Sequence, residues 1–239
     1  MLATLMIRSA ITRSSPLVFT ILALALLLVW DAVGLDVAMA SWAGTPMGFP
    51  WREHWFLVKV MHEGARSLSW VLVIALFISI RWPVWILRRL SAGERAQLAV
   101  TALASVMVVS LIKYTSATSC PWELQDFGGA AHYVSHWAWG LRDGGSGNCF
   151  PAGHASAGFA YIGGYFVFRR SSPGIARVWL ACALAAGLVL GLSQQLRGAH
   201  YMSHTLWTAW VCWVTAFVID ALVRQASNMR QRRLTSTVT

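Results

Sequence analysis

Charge is what this sequence has least of. Lys, Arg, Asp and Glu together make up 12% of 239 residues, and only nine of those side chains are acidic. Soluble domains carry about 25% charged residues, so an ordinary water-soluble fold is excluded. Internal repeats and low-complexity tracts are missing, and no polar block is large enough to form a second folded unit. Cysteine is sparse as well. Of the four, Cys182 and Cys212 lie inside apolar runs and read as packing residues, while Cys120 and Cys149 share the central polar loop. The formal net charge of +10 is not gathered on a polar domain. It falls between apolar runs, where lipid headgroups account for it better than nucleic acid does, and no nucleic-acid partner is expected.

What the chain has in excess is apolar surface: 57% hydrophobic residues and 14 Trp. Six apolar runs, near 16–33, 67–80, 96–112, 155–168, 178–192 and 204–222, predict an all-α polytopic bundle of six transmembrane helices. The whole of 1–239 then forms a single integral membrane domain. A cleaved signal peptide is the rival reading of the first run, because Arg8, Arg13 and Ala38-Met39-Ala40 imitate its flanks. The run is long enough to span, however, and Asp31 and Asp36 separate it from Ala38, so an uncleaved helix is expected. Trp42, Trp51 and Trp55 suit a membrane interface, and residues 55–63 read as a short helix along it. The second run is short for a crossing, so its helix is expected to begin earlier.

Six spans put both termini on one side. Thirteen of the nineteen basic residues fall on that side and six (Arg52, Lys59, Arg66, Lys113, Arg142, Arg197) on the other. The termini are therefore expected to be cytoplasmic, as in a bacterial inner-membrane protein. The periplasmic face then receives polar groups from three separate segments. One is the stretch from Asn148 to Ser156. There Pro151 fixes φ, Gly153 frees it, and His154 is delivered to a helix start where backbone N–H groups can cradle an anion. The second is Lys113, at the end of a span. The third is Arg197, His200 and His204, which share one face if a helix runs through all three. Each has an ordinary reading taken singly: a snorkelling lysine, a hydrogen-bonded interface histidine. His200 and His204 also stand at metal-ligand spacing, with His154 as a third ligand, but His-Glu-x-x-His is absent and no carboxylate lies between them. No metal and no cofactor are expected.

In this order and spacing the residues resemble the type 2 phosphatidic acid phosphatase superfamily, whose motifs run Lys-x6-Arg-Pro, Pro-Ser-Gly-His and Ser-Arg-x5-His-x3-Asp. Here Lys113 is followed after six residues by Cys120-Pro121, then come Pro151-Ala152-Gly153-His154, and then Ser193-Gln194 with His200 and His204. The resemblance covers about residues 96–222, with the first 95 supplying topology only. Cys120 and Gln194 stand where the family has arginines, Ala152 where it has serine and His204 where it has aspartate. The resemblance implies phosphoryl transfer through a phosphohistidine on His200, with His154 as general acid and base and His204 in the aspartate's place. Lys113 and Arg197, the latter replacing the arginine missing at Gln194, would hold the phosphate together with backbone groups of Ala152 and Gly153. Glu63, Glu123 and Asp126 are candidates for the missing carboxylate.

The expected substrate is a lipid phosphate: undecaprenyl diphosphate, phosphatidylglycerol phosphate, phosphatidic acid or a lipid A phosphate. A lipid-to-lipid phosphotransferase and a non-catalytic lipid-phosphate binder or transport component are the alternatives. Cys120 and Cys149 are expected to form a disulfide closing a loop of about thirty residues, against the alternative of two free, partly buried thiols. His132, His136, Trp137 and Trp139 are expected to line the headgroup entrance or pack within the loop.

Overall fold

The computed structural model describes residues 2–236, with side chains described from 16 to 235. The fold is all-helical; among the described residues the only extended pairings are two isolated bridges, Thr45 with Gly48 and Leu124 with Ala131. The helices are α1 (Leu2–Val33), α2 (Leu35–Ala40), α3 (Ala65–Ser79), α4 (Ala92–Thr115), α5 (Ser156–Phe159), α6 (Gly163–Phe168), α7 (Pro173–Leu196) and α8 (Met202–Ser236). Five stretches are long and apolar enough to cross a membrane: Pro16–Val33, Phe56–Ser79, Ala92–Thr115, Pro173–Leu196 and Met202–Thr235. The second includes a nine-residue π-helix, Phe56–Gly64, that runs without a break into α3. The expected surface helix at 55–63 is therefore the first part of the second span.

The expected span at 155–168 is built differently. It is entered through a 3₁₀ turn, Gly153–Ala155, and passes from α5 through a second 3₁₀ turn, Ala160–Ile162, into α6. The winding tightens where Trp179 Nε1 takes the Tyr161 carbonyl at 2.7 Å. Nearly every residue of this segment is buried, because glycines let its neighbours close in. A Cβ on Gly158 would meet the Gly187 nitrogen at 2.3 Å, and one on Gly164 would meet the Trp179 indole at 2.2 Å. Small residues at such crossings replace side-chain packing with backbone contact.

Contacts sort the helix ends into two groups. At one end, α4 starts with a capping box between Ser91 and Glu94, and the Arg95 guanidinium donates to the carbonyls of Ile80, just past α3, and Leu90, just before α4. Asp220 of α8, 1% exposed, accepts there from Arg169, Arg170, Arg224 and Gln97 at 2.9–3.2 Å. At the other end lie Lys113, the Gly153 turn, Arg197 and the start of α8. Five long apolar helices thus run between the two ends, with the irregular segment 153–168 packed among them. Asp220→Ala removes the shared acceptor of three guanidiniums. It is expected to destabilise the bundle by about 3 kcal/mol, read as a lower thermal unfolding midpoint in detergent, while turnover per folded molecule is unchanged.

Candidate active site

The site forms where the loop after α4, the turn before α5 and the α7–α8 connection meet. The first two are laced together: Asn148 N donates to Ser116 O (2.8 Å) and Cys149 N to Thr118 O (2.9 Å). Cys120 and Cys149 are bridged, with Cα atoms 5.2 Å apart. Below the bridge Asp143 accepts from Ser119 N and Oγ, both at 2.6 Å. Burial would raise its pKa, but the Ser119 and Gly145 donors outweigh that and hold it low. Pro121-Trp122 docks on the third segment through Trp122 N to Gly198 O, 3.0 Å.

That third segment is not one helix. Arg197 is the C-cap of α7, Gly198 takes φ +73°, and the bonds Gly198 N to Gln195 O and Ala199 N to Gln194 O close the turn at 2.9 Å each. This is the Schellman stop, for which glycine's freedom at positive φ is needed. The single stripe of Arg197, His200 and His204 is accordingly corrected. Arg197 ends one helix, His200 lies in the connection, and His204 sits in the first turn of α8. What survives is the relation of Gln194 to Arg197, one turn apart. Arg197 Nη1 donates to Gln194 Oε1 at 3.0 Å and its Nε to the Arg52 carbonyl at 2.9 Å. The guanidinium carbon lies 5.9 Å from the Trp122 ring centre. Nη2 makes no hydrogen bond among the described residues.

His200 is 3% exposed. Burial first, and then Lys113, His204 and His154, hold its pKa well below the ordinary imidazole range. Its Nδ1 lies 3.5 Å from Cys149 Sγ, and the Cys149 backbone also supports the ring. His204 Nδ1 is bonded to the Cys149 carbonyl at 3.0 Å, and its ring centre is 5.9 Å from that of His200 in an edge-on arrangement. His204 therefore orients against Cys149 rather than against His200. None of the three nominated carboxylates takes the aspartate's place: Glu63 pairs with Lys59 at 2.9 Å, Glu123 bonds Cys120 N and Ser146 N, and Asp126 is exposed. Among the described residues, the group of ligand atoms lying within 4.8 Å of one another is the bridged Cys120 and Cys149 with His200, not the three histidines of the metal reading.

The turn before α5 follows a cis Phe150–Pro151 bond. Ala152 N donates to His204 O at 3.2 Å and Ala152 O accepts from Thr208 Oγ1 at 3.1 Å. Its backbone fastens the turn to α8, so its N–H is not open to a phosphate, and Ala152 leaves the expected binding set. Gly153 and His154 precede the turn's first internal bond, Ala155 N to Ala152 O, which leaves their amides unclaimed by it. A Cβ on Gly153 would touch Lys113 Cδ at 3.4 Å, so the lysine stem lies along this backbone. His154 Nε2 is buried with no partner among the described residues. Burial, followed by His62, Lys113, Arg66 and Arg197, pushes the pKa of His154 down to about 3.

The first 95 residues contribute more than topology. His62 of the π-helix stacks on His154 with ring centres 3.7 Å apart, and Arg66, at the start of α3, acts on both rings. Asp36 of α2 accepts from Ser203 Oγ and Ser203 N (3.1 Å) and so caps α8 from outside. Asp31 accepts from Trp137 and Trp207 indoles at 2.9 and 2.8 Å and lies 3.2 Å from His136 Nε2. His136 in turn stacks on Phe150 at 4.1 Å and meets the His204 ring edge-on at 5.8 Å, whereas Trp137, Trp139 and His132 are exposed. Apart from the Trp30 indole, which donates to Asp36 at 3.1 Å, the partners of these acids lie more than a hundred residues away, so no short-range signal marks their part in the site.

Comparison with curated proteins and with solved structures returns no match. A family model, that of the PAP2 superfamily, matches residues 95–227. The match spans Lys113, the Gly153 turn and the α7–α8 connection and covers more than half of the chain, which thus belongs to the PAP2 superfamily, the type 2 phosphatidic acid phosphatases.

Proposed function

We propose that the chain is an integral membrane phosphatase that hydrolyses a phosphomonoester or diphosphate of a membrane lipid, through a phosphohistidine on His200. The observation that carries the reading is the convergence, at one end of the bundle, of a buried neutral imidazole, a second imidazole with an open nitrogen, and the cations Lys113 and Arg197. His200 attacks phosphorus with Nε2, since its Nδ1 faces Cys149. His154 gives a proton to the leaving oxygen and then takes one from the water that cleaves the N–P bond. Lys113, Arg197 and the amides of Gly153 and His154 offset the charge on the equatorial oxygens. No resident metal or cofactor enters the mechanism.

The interior segment serves as the sixth crossing. The thirteen-to-six distribution of basic residues supports termini in the cytoplasm and a site at the periplasmic face of a bacterial inner membrane. A lipid substrate is supported by a groove of about 750 Å³ between α3 and α7. Its apolar walls include Leu68, Leu72, Tyr161 and Leu190, and at the site end it begins with Ala65 and Ala157, beside Arg66 and close after His154. A hydrocarbon chain lying there leaves its phosphate at His154.

The test is phosphate release by purified protein from phosphatidic acid, phosphatidylglycerol phosphate, undecaprenyl diphosphate and lipid A. Release from at least one is expected. Binding without release would favour the non-catalytic reading, and appearance of the phosphate on a second lipid would favour a phosphotransferase. The profile against pH is a further prediction. A histidine near its usual pKa of about 6.5 would lose nucleophile roughly tenfold per unit of further acidification. Because His200 is held below that range, its neutral form persists as pH falls. After correction for the substrate's own ionisation, kcat/KM is expected to show no His200 limb at the ordinary imidazole pKa of about 6.5; a limb of unit slope centred there would contradict the assignment.

A further inference from the structure

The imidazole of His62 belongs to no motif of the chain, yet it lies face to face with that of His154, with centres 3.7 Å apart and planes inclined by 29°. The backbone that brings it there is a nine-residue π-helix. That winding is rare, occurs mostly as single-turn bulges, and is frequent at functional sites. The remaining wall around the pair is cationic: Lys113 from α4, Arg197 from the end of α7 and Arg66 from the start of α3, with His200 behind His154. The nearby carboxylate Glu63, on the π-helix itself, is bound to Lys59. His154 Nε2 has no partner among the described residues, so the stack is the contact that sets the plane of its ring.

We propose that His62 is a positioning residue for His154: its ring fixes the plane of the His154 imidazole, and the stacked pair carries at most one proton at a time. Two imidazolium rings at this distance, among three further cations, repel strongly. One imidazolium over a neutral aromatic ring is attractive. Arrival of a phosphate supplies the negative charge the empty pocket lacks, and one proton from water then enters the pair and resides on His154. As the N–P bond to His200 forms and the bond to the leaving oxygen breaks, that proton passes to the leaving oxygen. When water attacks, its proton returns to His154, the O–P bond forms and the N–P bond breaks. The titration therefore belongs to the pair rather than to either ring.

The inference rests on the phosphatase reading of His154, and the experiment separates the two. The full-length protein and its His62→Ala, His62→Phe and His154→Ala variants are assayed on phosphatidic acid in mixed micelles across pH, with thermal unfolding and orthovanadate binding as checks on folding and on the phosphate pocket. His62→Ala is expected to lower kcat about tenfold, a part of the roughly 10²- to 10⁴-fold that a general acid–base group supplies, with KM changed less than threefold. It opens His154 to water and removes the neighbouring ring, so the basic limb of kcat moves to higher pH. His62→Phe keeps a stacked ring that bears no proton and keeps His154 covered; it is expected to keep kcat within about threefold of wild type and to leave the basic limb nearer its wild-type position than in His62→Ala. An unchanged kcat in His62→Ala, or a loss with the basic limb left in place, overturns the proposal. No phosphate release by the wild-type protein overturns the phosphatase reading instead, and full activity in His154→Ala overturns the acid–base role that reading gives to His154.

Discussion

His200→Ala is expected to lower phosphate release by at least about a thousandfold, to the background of the assay, whichever lipid is turned over. The loss is large because the residue is asked to make and break a covalent bond. Without a nucleophile the double displacement has no first step, and removing such a group costs on the order of 10³- to 10⁶-fold. His154→Ala is expected to lose about 10²- to 10⁴-fold, as general acid–base groups do, and more with a poor leaving group than with a good one. Neither variant is expected to change folding much, since the Cys149 carbonyl that His204 uses and the Cys120–Cys149 bridge are untouched. Activity in His200→Ala comparable to wild type would place the chemistry elsewhere.

Arg197→Ala carries the second large effect, about 10²-fold or more in kcat/KM, the size seen when a donor to developing negative charge is removed. Arg197→Lys is expected to recover little, because a point charge on a flexible stem does not replace a fixed planar fork. The comparison that matters is with Gln194, which occupies the place of the family's arginine. Gln194 is buried and holds the Arg197 guanidinium by one bond, while the Arg52 carbonyl holds it by another. Gln194→Ala removes one of two tethers, so a loss of about three- to tenfold is expected. Equal losses at Gln194 and Arg197 would show that the guanidinium is not the displaced phosphate ligand.

The part of this site that could be read from the chain is the part carried by local spacing. Lys113, Pro151–His154 and the pair Gln194 and Arg197 are placed by turns and helix ends, which depend on a few neighbouring residues. The stop at Gly198 was legible in the same way, but the regular i, i+3, i+7 spacing of Arg197, His200 and His204 imitated a continuous helix across it. The contributions of His62, Arg66, Asp31 and Asp36 depend on how α1, α2 and the π-helix pack against segments up to 176 residues away. No local pattern encodes that. The segment 155–168 shows the same limit, since its apolar run predicts a helix but not the irregular winding, which follows from the Trp179 indole and the glycine contacts across the bundle.

The most direct measurement is to trap the enzyme mid-reaction. The protein is mixed briefly with lipid radiolabelled in its phosphate, quenched in alkali, digested and sequenced by mass spectrometry. A label that is stable in base, lost in acid and carried by the peptide containing His200 is the predicted result, absent from His200→Ala and accumulating in His154→Ala when the leaving group is good. A label on any other residue, or rapid turnover with no labelled protein at the shortest mixing time, would contradict a phosphohistidine at His200.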